Sequence, residues 1–256
     1  MGALGSREWI GQALAACEAA LLVRTREAMP RHHLRTARML GELKLEAGDR
    51  TGAVAALQGA RSAFLTLVGE GLESAEVQDL VSEAGALFNL LAYLHVEQGD
   101  AGCAFAMLAE GKARLMNVAL KQVTLSIPDQ HRERFSRLRS EIRGLAREVA
   151  SVSGEDGANA IQRLGLLRSE LGRMLEANAP EGESAARAVS LAQAIVGSTG
   201  VVVAPLVTKV GGKLLIVSGG SSGVTDVDMP QLTTERLEEL MQGPRQDAEL
   251  GGWLAA

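Results

Sequence analysis

The sequence predicts a mostly α-helical protein in which helical repeats run into a long antiparallel helical hairpin and then into a small β-meander. Three observations carry this. Helix-period patterns with small residues recur around two breaks, Gly48-Asp49 and Gly99-Asp100. Two heptad seams flank a short polar turn after Pro128. From Val201 onward the apolar period changes from that of a helix to that of a strand.

The bulk composition agrees. Of 256 residues 46% are hydrophobic but only 3% aromatic, so the core is built from Ala, Leu, Val and Ile. Such interiors suit closely approaching helices better than a β-sandwich. The 26 basic and 31 acidic residues leave a net charge of −5, which argues against a nucleic-acid groove. Cys17 and Cys103 lie far apart in helical patterns and read as small buried hydrophobes in a reducing, cytoplasmic compartment. No apolar run reaches the roughly 18 residues of a membrane span. The best N-terminal candidate, 14–23, is interrupted by Glu18 and preceded by Arg7 and Glu8, so no signal peptide is expected. The opening Met1-Gly2-Ala3-Leu4-Gly5-Ser6 fits a myristoylation pattern too short to stand apart from chance.

In chain order, residues 6–29 predict a first amphipathic helix with Trp9, Ile10, Leu14, Cys17, Leu21 and Leu22 near one stripe, closed by Pro30. Next, Leu40 and Gly41 sit mid-helix, where a small residue admits a second helix. Gly48 suits the left-handed position past a helix end and Asp49 the next N-cap. Ala53, Leu57 and Ala60 follow on one face. The pattern returns with Leu91-Ala92, Gly99-Asp100, then Ala104, Leu108 and Gly111 at the same offsets. These are the small-residue positions of a helix pair resembling tetratricopeptide repeats, though the offset of 51 residues exceeds the usual period of about 34. Lengthened helices account for the excess, with residues 66–77 in the extension. A generic bundle using Gly-Asp turns twice is the alternative.

After Pro128 and Asp129, Phe135, Leu138, Ile142, Leu145, Val149 and Val152 recur at threes and fours. Residues 153–157 read as a turn, and Ile161, Leu164, Leu167, Leu171 and Met174 form a second seam. The first arm carries Arg132, Arg134, Arg137, Arg139, Arg143 and Arg147 among Asp129, Glu133, Glu141 and Glu148, which reads as a solvated mixed-charge face or a partner-binding one. Residues 179–183 are a loop and 184–196 a helix. Strands follow at 201–207, 213–217 and 224–229, with a turn at Gly211-Gly212 and Pro205 placed to suit an edge or a bulge. Thr233 or Thr234 caps a last helix through Leu237, Leu240 and Met241.

No catalytic, cofactor-binding or metal-binding residue emerges. The stretch from Ser218 to Gly223 follows a strand, but strand and not helix comes after it. It lacks the Walker lysine, and Ser218 stands where a dinucleotide fingerprint wants glycine. Gly219-Gly220-Ser221-Ser222-Gly223 matches G-x-S-x-G, yet a nucleophile at Ser221 needs a following helix and a later histidine. His32 and His33 are adjacent and point apart, His95 lies in a repeat-like helix, and His131 sits among charges. None has metal-ligand spacing.

The order of parts resembles the entry into a CHAT domain, the caspase-like peptidase domain that follows tetratricopeptide repeats. The likeness rests on residues 109–115 (AEGKARL), 190–195 (SLAQAI) and the hairpin 201–217, within 34–242. The resemblance implies a repeat region at 1–118 and the N-terminal part of a CHAT-like domain at 119–256, with a helical hairpin at 128–178, strands within 200–230 and a helix at 233–242. It also implies a cysteine peptidase with a strand-borne histidine and cysteine. Neither can be placed here, since no cysteine or histidine follows His131. A peptidase-inactive chain is therefore expected, either part of a longer product or a shortened relative; a non-enzymatic helical scaffold is the alternative. The expected partner is a protein bound by the helical repeats, with no nucleic acid and no membrane. Self-association through the open β-edge is also expected.

Overall fold

Pro30 begins a helix instead of ending one. In the computed structural model, which describes residues 2–70, 74–119, 129–149, 155–177, 181–220 and 223–242, the first helix, α1 (Gly2–Val23), stops at Val23 and not at Met29. A tight turn follows, in which the Thr25 hydroxyl accepts the Ala28 N–H at 3.1 Å. Pro30 then takes the first turn of α2 (Pro30–Glu46), where its missing N–H has no intrahelical acceptor to lose. The predicted stripe on α1 is also too broad. Cys17 is buried and Leu21 reaches the core, while Trp9 and Leu22 are 75% and 82% exposed. With α2 as its main packing neighbour, α1 has room for only a narrow seam.

Two helical hairpins come next, α2 with α3 (Arg50–Glu70) and α4 (Ser74–Glu97) with α5 (Ala101–Ala119). Their turns match bond for bond. Gly48 and Gly99 have φ of 83° and 82°. Gly48 N–H donates to Leu45 O and Asp49 N–H to Lys44 O, while Gly99 and Asp100 donate to Val96 O and His95 O. This is the Schellman closure of a helix end. Asp49 Oδ1 then accepts Gly52 N–H and Asp100 Oδ1 accepts Cys103 N–H, both at 2.8 Å, capping the following helix. Ala53, Leu57 and Ala60 are fully buried on α3, as are Ala104, Leu108 and Gly111 on α5. The chain therefore contains two equivalent helical hairpins offset by 51 residues.

A third helical hairpin, antiparallel like the others, is α6 (Asp129–Val149) with α7 (Glu155–Ala177). Phe135, Leu138, Ile142 and Leu145 are buried, as the seam predicts. On α7, Leu164 and Leu171 are buried and Leu167 and Met174 pack beside them, as the seam predicts; at its start, however, Ala160 is buried and Ile161 is 45% exposed, and Leu175 joins the contact. The predicted turn also yields to helix, because α7 starts at Glu155 and takes in Asp156 and Gly157. The acidic pair suits the positive end of the helix. Val152, Ser153 and Gly154 lie outside the described residues. This hairpin packs on α3, where a Cβ on Gly69 would lie 2.9 Å from Leu175 Cδ1.

The helix α8 (Glu181–Val196) begins three residues before the predicted Ser184, and again its first turn is acidic. It lies against α5 and against the sheet. The strands β1 (Val201–Val207), β2 (Gly212–Ser218) and β3 (Val224–Met229) form an antiparallel meander in the order β1-β2-β3. Gly212 pairs with both Val207 and Met229, so the connecting turn is 208–211 and not the Gly211-Gly212 pair. Pro205 sits in the outer strand β1, where its missing N–H does not interrupt a two-sided ladder. On the inner face Ala204, Leu206, Leu215 and Val217 are buried; outward, Val201, Val203 and Val227 are about half exposed. Thr233 caps α9 (Thr234–Gln242) by accepting Arg236 N–H at 3.2 Å. One continuous apolar core reaches from Leu34 through α3, α4, α5 and α8 to Val217.

The Gly-Ser stretch links β2 to β3, and strand follows it. Gly219 is fixed by contact, since a Cβ there would fall 1.5 Å from Gly197 O. Ser221 and Ser222 lie outside the described residues.

Candidate functional site

Lys213 is the most chemically loaded residue of the described structure. The alternation of β2 puts it on the inner face with Leu215 and Val217, and its side chain is only 6% exposed. Such an ammonium has to be paired. In the sheet register it stands opposite Asp228, and its Nζ lies 2.5 Å from Asp228 Oδ1 and 3.8 Å from Asp226 Oδ2. Both acids share its face because they are two residues apart on β3. The third carboxylate comes from the helical array: Glu97, the last residue of α4, places Oε1 at 3.0 Å. Nζ also lies 5.7 Å from the Tyr93 ring centroid. Arg50, opening α3, pairs with Glu97 Oε2 at 3.1 Å, so one network spans α3, α4, β2 and β3.

The electrostatics are those of a joint. Burial pulls the Lys213 pKa down, but hydrogen bonds and charge from Asp228 and Glu97 outweigh it, and the net shift is upward. Burial, followed by the Glu97 charge, pushes the Tyr93 phenol up against the opposing pull of Lys213. Glu97 stands at the negative end of α4, an unfavourable place for a carboxylate that two cations offset. Around the joint, Asn89 Nδ2 reaches Val207 O at 3.4 Å and Lys209 lies 4.0 Å from Glu42. The sheet is thus fastened to the helical hairpins by its β1–β2 end.

Two further cations anchor the array. Arg168 on α7 makes a two-pronged pair with Glu70 at 2.6 and 3.1 Å, and its Nη1 donates to Glu27 O and Ala28 O. Arg61 pairs with Glu110 at 2.8 Å, joining α3 to α5.

The residues singled out in the sequence are dispersed. His33 Nδ1 lies 2.7 Å from Arg24 O and helps close the α1–α2 turn, while His32 is exposed. His95 is half-buried at the end of α4. The His131 ring accepts from Gln130 Nε2 at 3.2 Å on α6. Cys17 is buried, and burial raises its thiol pKa. Cys103, expected to be buried, is half-buried because it occupies the exposed first turn of α5. Among the described residues no three His, Cys, Asp or Glu side chains group as metal ligands, and no helix is long and apolar enough to cross a membrane. The Lys213 network escapes a sequence reading because Glu97 comes from a distant helix. Its only local signal is that Lys213, Asp226 and Asp228 share one face of the meander. No family model matches the chain, and no curated protein or solved structure matches it either.

Proposed function

We propose that this chain is the interaction and regulatory front of a caspase-like domain of the CHAT type, with tetratricopeptide-like helix pairs that take a protein partner. The supporting observation is the Lys213 joint, which fastens the sheet to the end of α4 and, through Glu97, to Arg50 of α3. A partner gripping the helix pairs acts on the body that carries the sheet. The chain has no histidine or cysteine beyond His131, so the reading assigns it no dyad of its own. His33 serves the α1–α2 turn, and Cys103 opens α5.

A helical scaffold with no link to peptidases is the second reading, favoured by the single core shared between helices and strands. Coding sequence downstream of residue 256 separates the two. A frame encoding further strands with a histidine and a cysteine supports the first reading, and a stop codon there leaves the second. For both, a fluorogenic peptide library incubated with the 256-residue chain yields no turnover. Turnover that disappears in Cys103→Ala contradicts both.

A further inference from the structure

The charges of α6 are sorted by side in a way the sequence alone does not reveal. Arg134 pairs with Glu170 across the hairpin, and Arg137 pairs with Glu133 at 3.0 Å. Arg139, Arg143 and Arg147 follow at four-residue spacing, which stacks them on one ridge of the helix. Glu141 is two residues from both Arg139 and Arg143, on roughly the opposite side at 100° per residue. Among the described residues no carboxylate pairs with any of the three arginines.

The ridge is ordered by its own surroundings. Arg139 lays its guanidinium 5.5 Å from the Phe135 ring centroid, and its Nε is buried without a hydrogen-bond partner. Burial and the neighbouring Arg143 charge both pull its pKa down, so the cation sits at an electrostatic cost. Arg147 Nε donates to Arg143 O at 3.2 Å, which holds that side chain along the helix. Arg143 and Arg147 are exposed.

We propose that this ridge is a docking surface for an acidic helix of a protein partner, one that carries carboxylates at four-residue spacing. Successive guanidinium positions rise by about 6 Å, the same step as between residues i and i+4 of an incoming helix. Rows of this kind are inclined to their helix axes and come parallel when two helices cross at about −50°, the commonest packing class. Planar guanidinium forks match carboxylates in pairs. A polyphosphate strand fits less well, because the chain is acidic overall at −5 and α6 itself carries Glu133, Glu141 and Glu148 on its other sides.

The test uses the full chain and a fluorescein-labelled alanine-based peptide with glutamate at every fourth position. Its comparators are a peptide of the same composition with the glutamates spread around the helix, and a fifteen-nucleotide oligo-dT. The expected result is binding of the first peptide that weakens with salt and falls roughly tenfold to thirtyfold in R139E/R143E/R147E. Arg163→Glu, an exposed arginine on α7, leaves it unchanged. Equal binding of both peptides, or no loss in the triple variant, overturns the proposal. So does tighter binding of the oligonucleotide than of the peptide. Circular dichroism of the triple variant checks that α6 still folds; if it does not, Arg143→Gln alone serves, with a loss of about threefold expected and no loss contradicting the proposal.

Discussion

At the scale of single residues, the two hairpins solve one packing problem in two ways. In the first, α2 and α3 bury Ala37 and Ala60; at the equivalent places in the second, α4 and α5 bury Phe88 and Gly111. The larger residue on one helix is met by the smaller on the other, and a Cβ on Gly111 would lie 2.6 Å from Phe88 Cβ and Cγ. Gly111→Ala therefore forces the helices apart, a strain of about 1–3 kcal/mol that outweighs the gain in helix propensity. Gly85→Ala on α4 is the control: its Cβ meets nothing within 4 Å, so the propensity gain of up to about 1 kcal/mol is kept. Urea denaturation of both variants checks this, with opposite shifts of the midpoint expected. The small residues at 41, 53, 60, 104 and 111 could be read as contact points because glycine and alanine announce close approach. Lys213 could not be read so, since its partner Glu97 lies on another element far away in the chain.

At the scale of elements, turns and seams were legible and helix limits were less so. Gly-Asp turns carry their own chemistry, a positive φ followed by a cap, and both form as the residues require. The end of α1 was not legible because Thr25 stops it through a local turn, while Pro30 is tolerated equally well at the start of a helix. Ile161 and Ala160 exchanged places because heptad spacing admits either until α3 fixes the rotation of α7. Hydrogen bonds from the Cys103 backbone N–H and side chain hold the Asp100 carboxyl below its ordinary value. A depressed carboxylate pKa stabilises above the unfolded value, near 3.9, and the contribution is lost as pH falls through the folded one. Asp100→Ala should therefore cost about 1 kcal/mol at neutral pH, and the gap to the wild type should narrow as the pH falls through and below the ordinary carboxylate range. Thermal melts across that range measure it. A constant gap would place the effect elsewhere.

At the scale of the molecule, the sheet is covered on one face and open on the other. Lys213, Leu215 and Val217 lie on the covered side, with Asp226 and Asp228 at its solvent-open margin on β3, while Val203 and Val227 face outward about half exposed. An outer strand with free backbone groups and an apolar face invites another chain. The expected outcome is self-association of the isolated chain, with a mass by light scattering that rises with concentration. A constant monomer mass at high concentration contradicts it. The core and the Lys213 network together imply that helices and strands open as one unit.

Native-state hydrogen exchange tests that unity most directly. Amides of β2, such as Leu215, are expected to open with the same free energy as those of Leu57 on α3 and Leu91 on α4. Lys213→Ala should lower all three together. Exchange of the β2 amides through a separate opening, well below that of α3 and α4 and alone affected by Lys213→Ala, would instead show a sheet that rests on the helical hairpins without sharing their cooperativity.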